Sequence, residues 1–180
     1  MLQITIPETE LYDSEENLFI KVKQQTLTLE HSLISLSKWE SKWHKPFLGS
    51  DAKTLAETID YVRCMTVTPN VDPNVYRCLT NEHVKQINDY IADPMTATWF
   101  SEEANRRYAR EVITAEIIYY WMISLNIYPE CQKWHLNRLL TLIRVCSEKN
   151  KPSKQMSKQA ILSRQAALNA QRKAKYHTKG

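Results

Sequence analysis

Glycine is nearly missing from this 180-residue chain: only Gly49 and Gly180 occur. Two glycines so placed make neither a Walker A loop nor a dinucleotide fingerprint, so a phosphate-cradling loop is excluded. All-β folds use glycine at many tight turns, so the shortage favours helices. Long apolar runs are also missing. The longest, Ile117–Ile123 followed by Ser124 and Leu125, falls far short of the roughly 20 residues of a membrane span. The acidic N-terminus MLQITIPETELYDSEE has no basic start followed by an apolar stretch, so a secretory signal is not expected.

Metal and catalytic patterns are equally scarce. The cysteines, Cys64, Cys78, Cys131 and Cys146, form no C-x-x-C pair and read as small buried hydrophobes rather than zinc ligands. The histidines, His31, His44, His83, His135 and His177, are scattered without H-E-x-x-H spacing. His135, beside Trp134, reads as a satisfied, partly buried histidine. Glu116 lies in an otherwise apolar stretch, where Arg138 or Arg144 is its expected partner. One such glutamate is no carboxylate dyad. No enzymatic activity, cofactor or metal is expected.

Charge is unevenly placed. Residues 147–180 hold nine Lys/Arg against Glu148 alone, or +8. Residues 1–146 hold 15 Lys/Arg against 19 Asp/Glu, or −4. A basic tail on a mildly acidic body points to an acidic partner, a nucleic acid or the protein's own body.

Three segments are expected. Residues 1–30 alternate with period two at Leu2–Ile6 and Thr26–Leu29, with Leu18–Val22 between them. This predicts two or three short antiparallel strands, with Glu8–Glu16 as a connecting loop. Residues 31–147 form a helical core domain. Its predicted helices run over His31–Trp43 (ended by Pro46), Lys53–Met65 (capped by Ser50 or Asp51) and from Thr80 to Ile91, after a short helix at Pro73. The inward stripes are Leu55, Ile59, Val62 and Met65 in the second of these and Val84, Ile87 and Ile91 in the third. Arg110–Ile127, apolar almost all round, predicts a buried central helix, followed by Glu130–Ser147. Residues 148–180 form a basic tail. Ser157 is a plausible cap for a helix there, thinly striped by Ile161, Leu162, Ala166 and Leu168, with His177–Gly180 frayed. The fold class is mainly α with a minor β part.

Trp39 and Trp43 lie among Lys38, Lys42, His44 and Lys45. Four residues apart on one helix face, they are most simply core residues with peripheral lysines. Stacking on nucleic-acid bases and binding a partner's apolar helix are the alternatives.

Several blocks together resemble a known family. They are LEHSLISLSKWESKWHKPFL (Leu29–Leu48), CMTVTPNVDPNVY (Cys64–Tyr76), DPMTATWF (Asp93–Phe100), EIIYYWMISLNIYPECQKWHLNRLLTLIRVC (Glu116–Cys146) and the basic close ending in Lys179–Gly180. The family is the tail assembly chaperones of tailed bacteriophages with long non-contractile tails, encoded beside the tape-measure protein. The resemblance implies a non-enzymatic protein of the host cell cytoplasm. It would bind and solubilise the helical tape-measure protein, help recruit tail-tube subunits and be absent from the finished virion; self-association, by the basic tail on the acidic body of a neighbouring copy, is expected from the charge split. Many members also occur in a longer, frameshifted form. A client helix would be shielded by an apolar surface, for which the candidate contacts are Trp39, Trp43, Phe47, Trp99 and Phe100. The charge split makes Lys154, Lys158, Arg164, Arg172, Lys173 and Lys175 the candidate contacts of the basic tail. No membrane partner is expected. The alternative functions are a structural component of the virion tail or head–tail connector and, less favoured, a nucleic-acid-binding regulator that uses the basic tail.

Overall fold

The computed structural model describes residues 1–13, 17–100, 112–151 and 157–176. They form a mainly helical protein opened by a small antiparallel β region. The chain divides into two compact units, Met1–Ser147 and Glu148–Gly180.

Four strands begin the first unit: β1 (Leu2–Ile6), β2 (Thr9–Asp13), β3 (Leu18–Val22) and β4 (Gln25–Leu29). β1 pairs with β4, setting Ile4 against Leu27, and β2 pairs with β3, setting Leu11 against Ile20. The expected Glu8–Glu16 loop is corrected here, because β2 lies inside it. Thr9, Leu11 and Asp13 alternate with exposed Glu10 and Tyr12, and this period of two outweighs the acidic composition.

Helix α1 (Leu33–Trp43) is capped by the Ser32 hydroxyl, which accepts from the Ser35 amide at 3.3 Å. It ends at His44, whose φ of 53° is left-handed, two residues before the expected stop at Pro46. Helix α2 (Leu55–Met65) begins from a capping box of Thr54 and Glu57, not from Ser50 or Asp51. A 3-10 helix at Pro73–Cys78 precedes α3 (Asn81–Ala92), which is capped by Thr80.

Helix α4 covers only Ala115–Ser124, and Tyr120 and Ile123 on it are exposed. The expected all-round burial of Arg110–Ile127 is therefore corrected, with Arg110 and Glu111 outside the described residues. Glu116 is exposed in the first turn of α4, which removes the need for a buried arginine partner. Its charge there complements the helix N-terminus. The expected helix at Glu130–Ser147 is broken into a 3-10 helix, Pro129–Lys133, and α5 (Leu136–Asn150). The second unit contains α6 (Lys158–Tyr176).

The core of the first unit has two parts. One joins the strands to Trp39, Tyr61, Met65, Tyr76 and Ile87. The other gathers Leu33 and Leu36 with Ala115, Ile118, Leu136 and Leu139. Helix α1 supplies residues to both, and Phe47 packs against both. The strands at 1–30 thus share their core with the helices.

A polar cluster lies at the start of α1. His31 Nδ1 and the Tyr61 hydroxyl are 2.6 Å apart, and the His31 and His135 rings meet edge-on at 5.1 Å. His135 Nε2 lies 3.0 Å from the Tyr90 carbonyl, while the Tyr90 hydroxyl donates to Glu30 at 2.8 Å. The Leu136 amide donates to the His31 carbonyl at 2.7 Å, tying the start of α5 to the start of α1.

Candidate functional site

The tryptophans singled out by sequence are braced by α2. The Trp39 indole N–H donates to the Glu57 carbonyl at 2.8 Å, and that of Trp43 donates to Asp60 Oδ2 at 2.9 Å. Their lysine neighbours reach the same two acids: Lys42 pairs with Asp60, and Lys45 with Glu57 at 2.7 Å. The Lys45 hydrogen bond, with that of the Thr54 amide, holds the Glu57 carboxyl down at about 2. Burial pushes Asp60 up, but hydrogen bonds from Lys42 and Trp43 outweigh it and its pKa is lowered. The interleaved lysines and tryptophans therefore form a lattice between α1 and α2.

That lattice decides what the candidate contacts can offer. Trp39 is 1% exposed and has no surface for a client, which corrects its expected role. Trp43 is half-buried. Phe47 is also half-buried, stacked on Tyr61 at 3.8 Å between centroids and edge-on to Trp39 at 5.1 Å. Trp99 is 83% exposed. Phe100 lies under the Arg144 guanidinium at 3.9 Å. In the tail, Lys158, Arg164, Arg172, Lys173 and Lys175 are all exposed on α6, and Lys154 lies outside the described residues.

The site that sequence reasoning missed is a groove between α2 and α3. Its cavity of about 230 Å³ is floored by Phe47 and Tyr61. Leu55, Ile59 and Val62 line it from α2, and Val84, Ile87 and Ile91 from α3. These are the two stripes expected to be buried in the core. Val62, Met65 and Ile87 are buried as expected, Ile59, Val84 and Ile91 are half-buried along the groove, and Leu55 is 75% exposed. Lys53 closes one end, its ammonium 4.5 Å from the Phe47 ring centroid. The remaining polar side chains of the lining are Thr58, Asn88 and Tyr61, whose hydroxyl His31 engages. Apart from these few polar groups the groove presents an apolar surface.

Among the described residues no group of three His, Cys, Asp or Glu is placed to hold a metal ion. No described helix is long and apolar enough to cross a membrane. Comparison with protein families, with curated proteins and with solved structures gives no match.

Proposed function

We propose that this protein is a tail assembly chaperone of a long-tailed bacteriophage, acting in the host cytoplasm. It binds and solubilises the tape-measure protein and helps recruit tail-tube subunits. The open apolar groove between α2 and α3 carries this reading. A long helical client exposes apolar ridges spaced at i, i+3, i+4 and i+7, and the groove presents leucine, isoleucine and valine to such a ridge. Of the blocks that carry the family resemblance, Leu29–Leu48 contributes Phe47 to the groove. Weak individual contacts suffice, because many copies along one client add through multivalency.

The test is co-expression with the long helical protein encoded beside this chain, read by co-purification and by the client's solubility. The expected result is a soluble complex that Leu55→Glu abolishes. An insoluble client and no co-purification at low or moderate salt overturn the chaperone reading. Recovery of the protein from purified particles by mass spectrometry favours a virion component instead.

A further inference from the structure

The two extremes of charge in this chain both carry exposed apolar side chains. Residues 8–16 contain five acids and no base. The β2–β3 hairpin places Glu10, Tyr12, Phe19 and Lys21 on one face, because Tyr12 pairs with Phe19 and Glu10 with Lys21. The Tyr12 and Phe19 rings are 5.2 Å apart, and the residues are 53% and 73% exposed. Lys21 is held by Glu8 at 2.6 Å, and the Glu10 carboxylate makes no ion pair among the described residues. At the other extreme, α6 carries Lys158, Arg164, Arg172, Lys173 and Lys175 and no acid. At 100° per residue, Ile161, Leu162, Leu168 and Tyr176 fall within about one third of its circumference. All four are exposed.

We propose that α6 of one copy docks on the β2–β3 hairpin face of a second copy. The apolar stripe covers the Tyr12–Phe19 pair. Cationic side chains from α6 lie over the ring faces and hydrogen-bond to Glu10. An isolated helix with so thin a stripe is marginal by itself, and docking supplies the packing it lacks. The contact joins two different surfaces, so a joined pair retains one free hairpin on one copy and one free α6 on the other. Assembly is then head-to-tail and open-ended. The patch is small, so each junction is weak and sensitive to salt. This proposal stands apart from the client reading, and its test contains no client.

The experiment is sedimentation velocity on the nuclease-treated full chain over rising concentration at low and high salt. Two double variants are compared, Leu162→Glu with Leu168→Glu and Glu10→Lys with Phe19→Lys. All four positions are exposed, and circular dichroism checks that each variant folds. The wild-type chain is expected to form a concentration-dependent series of oligomers that salt dissolves. Each variant alone is expected to need at least about tenfold higher concentration to associate. An equimolar mixture of the two restores one junction and stops at the dimer. The proposal is overturned by a wild-type chain that stays monomeric, by association that either variant leaves intact, or by a mixture that does not pair. Wild-type association that disappears on nuclease treatment also overturns it and assigns α6 to nucleic acid.

Discussion

Glu40 on α1 accepts a hydrogen bond from the backbone amide of Ala115, 75 residues later, at 2.7 Å. Its other carboxylate oxygen accepts from the Phe47 amide at 2.8 Å. One buried side chain thus fixes the turn after α1 and the start of α4. Glu40→Ala orphans the buried Ala115 amide and the part-buried Phe47 amide, and each loss costs about 1–3 kcal/mol, the second toward the lower end. The expected destabilisation is about 2–5 kcal/mol in urea unfolding, with a smaller loss for Glu40→Gln. A loss below about 1 kcal/mol for the alanine variant would show that water satisfies these amides.

His31 makes the fold acid-sensitive. Burial, then the neighbouring His135, lowers its pKa from 6.5 to about 4. As pH falls below 6.5, the unfolded chain takes up a proton that folded His31 refuses until about pH 4. Stability contributed by neutral His31 is therefore intact above pH 6.5 and drains away toward pH 4. At about 1.4 kcal/mol per pH unit, the loss reaches about 3 kcal/mol. Urea midpoints from pH 7 to 4 read this slope. His31→Gln is expected to start less stable and to flatten it, and an equally steep variant would place the acid sensitivity elsewhere.

Trp39 and Trp43 differ in what they hold. Trp39→Ala empties a buried site and costs about 3–5 kcal/mol. Trp43→Phe keeps most of the packing but removes the donor to Asp60, which retains Lys42, so about 1–2 kcal/mol is expected. Thermal unfolding ranks the two, and the reverse order would contradict the lattice.

Leu55→Glu separates binding from folding. Leu55 projects to solvent at the mouth of the groove, so unfolding free energy is expected to change by no more than about 0.5 kcal/mol. Client co-purification is expected to disappear in the same variant. Retained client binding would move the client surface away from the groove.

Local signals were readable where one physical preference acted alone. The period of two at Leu2–Ile6, the cap at Thr80 and proline at the start of the 3-10 helix Pro73–Cys78 each match the structure. Reading failed where a distant partner changed the meaning of a residue. Glu57 and Asp60 are buried because Lys45, Lys42 and Trp43 satisfy them, although a charge pattern alone assigns them to the surface. Ile123 and Tyr120 are exposed although hydropathy alone places them inside. The stripes were legible, with Val62 and Ile87 buried as expected, but the groove was not, since nothing in Leu55–Ile59–Val62 or Val84–Ile87–Ile91 says how far apart their helices stand.

By itself, the sequence determined the helix-rich class, the opening strands, the absence of a phosphate loop and the concentration of positive charge in the tail. These follow from backbone preference, residue spacing and charge count, which are local or additive. Tertiary structure decided that Trp39 is core, that Glu40 bridges to Ala115, that His31 and His135 meet, and that two apolar stripes enclose an open groove. Each of these depends on distances between segments far apart in the chain, and those distances are set by how side chains from several elements fill one common interior.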